Sequence, residues 1–436
     1  MRHDPAQLPR ATLAETRAVL ARAVGPLIAK GVIVRRPLVV GLLGATGAEM
    51  TGVRTLQALR ARYGPGPVML KTPGRDLAVI LSPDHARRVL AGTPEPFQSD
   101  MREKHAALSR FEPQGSLISR GRDRAERRAM NERVLDSGRP VHRLATEVDA
   151  VVEREADALL REAERRGGLS WDAYQDGWHR MARAVALGRT AAGDRKLGRL
   201  LVQLRGDANW AFLKPKRRRL RERFRSGLQA HLDRAEPGSI ASLIPAAATP
   251  RAAPVDQVAQ WLFAFDAAAI ATFRALAVLA SLPGYAQQAR DEARRGPPEL
   301  PLLRAAILES LRLWPTTPAI LRETDRDTDW DGATMPAGTG LLIHAPFFHR
   351  DDGRLAYAHR FAPEIWAGGE PERAPLVPFS AGPAICPGKS LVELLGSRML
   401  ARLLRRDWTM ADGRRLEQGR MPVTFDQFSL LLRLAA

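Results

Sequence analysis

The sequence predicts a predominantly α-helical protein with a smaller β part, an α+β arrangement in which helices predominate. Three observations predict it. Most segments between residues 144 and 232 have helical spacing, a long apolar helix extends from Val255 to about Leu282, and short strands punctuated by Pro and Gly occupy residues 315–350. The chain has 436 residues, of which 45% are hydrophobic and 26% charged, and this composition is typical of a globular fold.

The first 55 residues are mixed in character, and four glycines between residues 41 and 52 are expected to interrupt any long helix. The apolar run at residues 37–45 is too short to span a bilayer, which needs ~20 residues. We therefore expect residues 1–55 to pack on the fold or to lie weakly at an interface. The N-terminus has no apolar signal-peptide core, so we expect a cytoplasmic protein without a transmembrane anchor.

Local signals then predict the first strands and the helix that follows them. Two short apolar runs at residues 68–70 and 77–81 flank Pro73 and Gly74, which predicts a hairpin. Ser82 should cap the next helix, because a proline and an acid follow it directly.

The long helix predicted from Val255 would be about 40 Å long at 1.5 Å per residue. It is apolar at nearly every position around its circumference, which is typical of a helix buried inside a large fold. Asp266 is the only acidic residue between Gln257 and Ser281. Burying a carboxylate there is costly without a partner or a role, so we consider both a salt bridge to an arginine and a functional role.

The only cysteine of the chain, Cys386, is the main candidate for chemistry. A single cysteine excludes a disulfide framework, a zinc finger and a cysteine-built iron–sulfur cluster. Gly382 and Gly388 let the backbone approach a flat group closely. The helix predicted after Gly388 would lower the pKa of the thiol and favour a thiolate that can bind a metal. The alternative is a buried, inert cysteine.

The motif Phe379-x-x-Gly382-x-x-x-Cys386-x-Gly388 resembles the haem-binding loop of the cytochrome P450 family at all four positions. Glu309 and Arg312 resemble the family's Glu-x-x-Arg motif, in which the two side chains share a helix face and can form a charge-assisted pair.

The resemblance continues in order from about Leu56 to the C-terminus. It implies a cytochrome P450 fold, with haem between the long central helix and the Cys-bearing loop, in a single catalytic domain at residues 56–436.

This resemblance implies haem b as cofactor, with Cys386 as the axial ligand of its iron. A thiolate ligand pushes electron density onto iron and favours oxygen activation. Arg124, Arg128 and Arg322 match family positions that bind the haem propionates, and an arginine fork suits a carboxylate. The activity implied is that of a monooxygenase, which inserts one oxygen atom of O2 into an apolar or amphipathic small organic molecule.

The central helix departs from the family pattern. Asp266 matches the usual acid, but Ala267 stands where the family has a threonine whose hydroxyl helps to deliver protons. Thr272 cannot replace it, since five residues further on it points to another face. Protons would come from water, from Asp266 or from the substrate. The departure leaves open a haem-thiolate peroxygenase, isomerase or dehydratase.

Two further departures concern arginines of the family pattern. Ala384 stands where many members have a propionate-binding Arg or His, and Ile365 stands where a third arginine joins the Glu-x-x-Arg pair. Arg360 and Arg373 are the residues expected to compensate for Ile365.

The net charge of +19 favours acidic partners. The sequence shows no fused flavin or iron–sulfur region, so we expect a separate electron donor such as a ferredoxin or flavodoxin with its reductase. This donor should dock on a basic surface that includes Lys389 and Arg398.

The composition is that of a GC-rich bacterial genome. We expect the protein to be a monomer. The basic run at residues 214–225 is interpreted as a solvated helix face, not as a nucleic-acid site. A remote alternative is a cofactor-free basic protein that binds nucleic acid or membrane.

Overall fold

The computed structural model describes residues 7–368, 371, 374–413 and 416–435. The helices in these residues are α1 (Leu13–Val19), α2 (Gly25–Ala29), α3 (Pro37–Thr46), α4 (Ala48–Tyr63), α5 (Pro83–Ala91), α6 (Arg102–Leu108), α7 (Gly121–Val134), α8 (Ala145–Arg166), α9 (Trp171–Leu187), α10 (Arg195–Ala208), α11 (Arg218–Arg234), α12 (Ile244–Ala247), α13 (Pro254–Ser281), α14 (Pro283–Arg295), α15 (Pro301–Leu313), α16 (Ala345–His349) and α17 (Lys389–Leu403). The strands are β1 (Val68–Leu70), β2 (Leu77–Val79), β3 (Phe97–Gln98), β4 (Leu169–Ser170), β5 (Ala319–Thr324), β6 (Thr328–Trp330), β7 (Ala333–Met335), β8 (Gly340–His344), β9 (Trp408–Met410) and β10 (Leu431–Leu434). The prediction that helices predominate over a smaller β part is confirmed.

The chain divides into two compact units. Within the described residues, the first unit contains residues up to 102, residues 311–386 and residues 419–425. The second unit contains residues 103–310, 387–418 and 426–435. The predicted boundary after residue 55 falls inside α4, in the interior of the first unit.

The first unit is built on a five-stranded sheet with the order β1-β2-β8-β5-β3. The predicted hairpin is confirmed, since β1 pairs antiparallel with β2 and Met69 lies opposite Ala78. β8 pairs parallel with β2 and antiparallel with β5, which carries Arg322. A short hairpin of β6 and β7 completes the β structure of this unit.

The start of α5 follows the predicted cap. The Ser82 Oγ accepts a hydrogen bond from the backbone N–H of His85 at 3.0 Å. The cap satisfies one of the N–H groups that have no partner within the helix, and Pro83 occupies its first turn.

The N-terminal part of the first unit contains more helix than its glycines predicted. Gly52 lies inside α4, where a Cβ would come within 2.7 Å of the Arg22 carbonyl oxygen. Glycine is therefore used here for close packing, and the expected interruption of the helix does not occur. Of the four glycines between residues 41 and 52, only Gly47, with φ +63°, ends a helix: it separates α3 from α4.

The second unit is organised around α13, which has 28 residues and begins with Pro254. Helices α9, α11 and α17 contact it, and its residues Ala268–Ala269 and Ala271–Leu279 are buried. Among the described helices, only α13 is long and apolar enough to cross a membrane, but 78% of its apolar window is buried inside the protein. The prediction of a buried central helix is confirmed. A three-stranded sheet, β4-β10-β9, belongs to the same unit.

Candidate active site

Backbone geometry fixes the loop that carries Cys386 in the first unit. The Cys386 N–H donates to the Phe379 carbonyl oxygen at 2.9 Å and closes the loop. Ser380 and Gly382 both have positive φ, at +63° and +65°. A Cβ at Gly382 would lie 2.2 Å from the Leu90 carbonyl oxygen, so the loop approaches α5 as closely as only glycine allows.

Arg322 ties this loop to the sheet. It projects from β5, and only 4% of its surface is exposed. Its Nε donates to the Thr93 Oγ1 at 2.9 Å, and its Nη2 lies 3.4 Å from the Ser380 Oγ within the loop. A buried guanidinium therefore lies beside the Cys-bearing loop, and its pairing with a propionate stays a prediction.

His349 fixes the segment that precedes the loop. It is completely buried, and its Nε2 accepts a hydrogen bond from the Val377 N–H at 2.9 Å. The Nδ1 lies 3.2 Å from the Arg312 carbonyl oxygen, so the ring is neutral with its proton on Nδ1. Burial and the nearby Arg312 charge lower the pKa of His349 to about 3. His349 was not predicted as a site residue, and its signal in the sequence is a histidine directly after an apolar segment.

Glu309 and Arg312 are both fully buried on α15. The Arg312 guanidinium donates to four backbone carbonyl oxygens at 2.7–3.2 Å, those of His349, Tyr357, Ala358 and Arg360. This cation therefore organises the chain segment that leads toward the Cys386 loop.

The expected compensation for Ile365 by the Arg360 side chain is wrong. The Arg360 guanidinium donates to Glu364 at 3.0 Å in an exposed pair, and only its carbonyl oxygen contacts Arg312. Ile365 itself packs against an apolar cluster that contains Leu355. Arg373, the other residue expected to compensate, lies outside the described residues.

Asp266 of α13, in the second unit, is held by two side chains. Arg205 forms an ion pair with it, and His179 is hydrogen-bonded to the other carboxylate oxygen. Burial alone would raise the pKa of the carboxyl, but the Arg205 charge and the His179 bond outweigh burial and lower the pKa to about 2. The salt-bridge interpretation is thus the one that the structure supports. A carboxylate that stays ionised at neutral pH does not suit the role of proton donor.

Ala267 follows on α13 and offers no hydroxyl. The Thr272 Oγ1 donates to the Ala268 carbonyl oxygen at 2.8 Å and is fully buried. It lies 2.8 Å from the position that a Cβ on Gly396 of α17 would take. Thr272 therefore faces α17, as its register predicted, and does not replace the threonine.

Arg124 and Arg128 lie one turn apart on α7. The Arg128 Nε donates to Glu132 at 2.5 Å. Arg124 is half-buried, and its pKa is lowered by burial and by the charge of Arg128. The described residues include no ion-pair partner for Arg124, so this cation has capacity for an anion such as a propionate.

Gly388 is the residue from which α17 starts, so Cys386 precedes a helix N-terminus by two residues in the chain. Lys389 and Arg398, the predicted docking cations, both lie on this helix. Each has an acidic neighbour, Glu393 at 3.9 Å and Asp149 at 3.2 Å respectively.

The donor set suits a metal whose other ligands are not protein side chains. Across the part of the chain that the structure describes, no three His, Cys, Asp or Glu residues group together as metal ligands. Cys386 offers one sulfur, on a half-buried loop that is closely packed at Gly382. One thiolate with a buried arginine nearby fits haem, in which the porphyrin supplies four nitrogen ligands.

Comparison with known proteins supports this interpretation. Residues 264–418 match the family model of cytochrome P450. This match, the relatives and the solved structures together support a member of the cytochrome P450 family. The chain is 35% identical over 149 residues to drimenol monooxygenase of Persicaria hydropiper, and this alignment covers 33% of the chain and 27% of that protein. It is 34% identical over 116 residues to cyclooctat-9-en-7-ol 5-monooxygenase of Streptomyces melanosporofaciens, covering 26% of this chain and 25% of the relative.

The alignments thus span about a quarter of the length of the curated relatives. The likeness of fold is more extensive. The cytochrome P450 CYP102L1 superposes with a TM-score of 0.75 over 99% of both chains, at 18% identity. The cyanobacterial CYP120A1, solved with retinoic acid, gives a TM-score of 0.67 over 87% of this chain and 93% of its own, at 17% identity. These structures show the P450 fold.

Proposed function

We propose that this P450 is a haem-thiolate monooxygenase that inserts one oxygen atom of O2 into an apolar or amphipathic small organic molecule. The observation that carries the proposal is the Cys386 loop, which presents the only sulfhydryl of the chain on a backbone closed by the Phe379 carbonyl oxygen. The relatives from Persicaria and Streptomyces are both named monooxygenases, which favours this reaction over a peroxygenase, isomerase or dehydratase.

In this proposal the Cys386 thiolate would hold the iron of haem b. Arg322, a buried arginine, would neutralise a propionate, and Arg124 and Arg128 are further propionate partners that the family resemblance implies. Haem supplies the oxidising chemistry when it is bound, and the protein supplies orientation and exclusion of water.

The chain's own residues limit where protons can come from. Asp266 is ionised and held by Arg205 and His179, and Ala267 has no hydroxyl. We therefore propose that ordered water, or a hydroxyl of the substrate itself, carries protons in this P450.

We further propose a separate electron donor, a ferredoxin or flavodoxin with its reductase. A basic surface that includes Lys389, whose side chain is 42% exposed, would attract an acidic donor. The cytoplasmic location, the bacterial origin and the monomeric state stay predictions from the sequence.

Turnover with isotopically labelled dioxygen tests the function directly. The haem-loaded protein is supplied with NAD(P)H, a surrogate ferredoxin and its reductase, and a panel of apolar compounds. We expect one labelled oxygen atom in the product and none when labelled water replaces labelled dioxygen. Turnover supported only by peroxide, with no label from dioxygen, would contradict the proposal and favour a peroxygenase.

A further inference from the structure

A cavity in the second unit lies between α9, α10 and α13, and the proposed function makes no use of it. Its volume is about 470 Å³, which falls within the range of about 300–1,000 Å³ found for pockets that bind small organic molecules. Side chains of α9 and α10 form most of its lining, and α13 contributes Leu262. Cys386, Arg124, Arg128 and Arg322 are not among the lining residues, so the cavity is a candidate site for a second ligand.

Positive charge predominates in this cavity. The ionisable side chains described in its lining are Asp176, His179, Arg180, Arg183, Arg195, Arg199 and Arg205. Arg205 already has a counter-charge in Asp266, to which His179 is also hydrogen-bonded. Arg180 pairs with Glu155 at 3.1 Å. Three arginines of the lining therefore remain without an ion pair in the described part of the chain, against a single lining carboxylate.

Arg183 is the lining cation that most needs an anion, because it is buried. Its Nε and Nη2 donate to the carbonyl oxygens of Ala191 and Ala192 at 2.7–3.2 Å. Burial lowers the pKa of Arg183, and the charge of Asp194 offsets this only in part. The Nη1 lies 3.4 Å from the position that a Cβ on Gly198 would take, and Gly198 also lines the cavity. A buried charge that is bonded only to carbonyl dipoles stays incompletely compensated, so an anion beside Nη1 would be stabilising.

The remaining lining is apolar and comes mainly from α10. It consists of Ala182, Leu197, Leu201, Val202 and Leu262. An inorganic anion would satisfy Arg183 but would leave this apolar surface in water, whereas an uncharged apolar molecule would leave the arginine without a counter-charge. An arginine fork matches the geometry of a carboxylate. We propose that this cavity binds a small amphipathic carboxylate, with its charged end at Arg183 and its hydrocarbon part against α10 and Leu262.

Titration calorimetry of the haem-loaded protein with octanoate tests the proposal. Saturating 4-phenylimidazole is present throughout and occupies the haem iron, so that octanoate cannot report on the haem pocket. We expect saturable binding with a stoichiometry near one. The neutral analogue 1-octanol and inorganic phosphate should each bind about tenfold or more weakly, since each offers only half of the interaction.

Two variants at the cavity examine its charged and its spatial part separately. Arg183→Met should weaken octanoate binding about tenfold or more, because a charge-assisted pair is lost. Gly198→Leu should have an effect of similar size, because the leucine side chain would occupy the space beside Arg183. Leucine has a higher helix propensity than glycine, so this variant keeps the proposal testable even if Arg183→Met does not fold. Unchanged haem spectra identify the folded variants.

A pair of arginine variants separates the cavity from general effects of charge. Arg195→Gln/Arg199→Gln, at exposed positions of the lining, should weaken binding about threefold at low salt. Arg218→Gln/Arg219→Gln, at exposed positions of α11 outside the lining, should bind as the parent protein does.

Several results would overturn the proposal. These are the absence of saturable octanoate binding to the parent protein, equally tight binding of 1-octanol or of inorganic phosphate, and unchanged octanoate binding in folded Gly198→Leu. Equal weakening by the two arginine pairs would also overturn it, because binding would then depend on overall charge and not on this cavity.

Discussion

Replacing Asp266 with asparagine tests whether the carboxylate of the central helix is a structural ion-pair partner. Asp266→Asn would leave the Arg205 guanidinium, whose side chain is 6% exposed, without its counter-charge in a buried site. Removing one partner of a buried pair costs about 3–5 kcal/mol, because the remaining charge stays desolvated. We expect the free energy of unfolding to fall by about 3 kcal/mol or more in urea titrations at pH 7.

The pH dependence provides an independent measure of the same interaction. The pKa of Asp266 is about 2 in the folded protein and near 3.8 in an ordinary environment. Its contribution to stability is therefore complete above about pH 4 and disappears as the pH falls toward 2. A shift of this size corresponds to about 2 kcal/mol.

A double-mutant cycle completes the test. Arg205→Met and Asp266→Asn should each destabilise the protein, and the double variant should lose less than the sum of the two. Loss of less than about 1 kcal/mol in Asp266→Asn, with additive effects in the cycle, would refute the structural role. Arg294→Met, which removes an exposed pair with Asp291, is the matched control and should change stability by less than about 1 kcal/mol.

Three further predictions concern the Cys386 loop and its supports. His349→Ala should lower the free energy of unfolding by about 2 kcal/mol or more in urea titrations, because the buried Val377 N–H loses its acceptor; equal stability of the variant and the parent would contradict the link. Burial lowers the pKa of His344 to about 4 and that of His349 to about 3, so both stay neutral when folded while the unfolded chain takes up protons below about pH 6.5. Stability should therefore be complete above pH 6.5 and fall by about 1.4 kcal/mol per pH unit for each histidine as the pH drops toward 4, and a flat profile between pH 7 and 5 would refute this. Gly382→Ala should lower the fraction of purified protein that retains haem, because the added Cβ meets the Leu90 carbonyl oxygen and φ is +65°; Gly413→Ala, at an open position with φ +69°, controls for backbone strain alone and should retain haem.

Local signals in the sequence were sufficient for much of the fold. The hairpin around Gly74, the Ser82 cap and the buried α13 depend on nearest neighbours and on periodic apolar residues, so they could be predicted. Gly52 was misinterpreted because its role is close packing against the Arg22 carbonyl oxygen, a contact made by a different part of the chain.

The candidate site, like the fold, has features that the sequence predicts and features that it does not. The spacing around Cys386 is local and could be found in the sequence, whereas the partners of Asp266 could not. His179 lies 87 residues away, and nothing in the sequence distinguishes Arg205 from the many other arginines. The role of His349 was also hidden, since it depends on an N–H donor that lies 28 residues further along the chain.

The spectrum of the reduced protein with carbon monoxide tests the central claim most directly. The haem-loaded parent protein should show the strongly red-shifted Soret band of thiolate-ligated haem, and Cys386→Ala should lose that band while far-UV circular dichroism shows the fold intact. An unshifted band in the folded parent protein, or a red-shifted band that persists in Cys386→Ala, would contradict the assignment of Cys386 as the ligand of the haem iron.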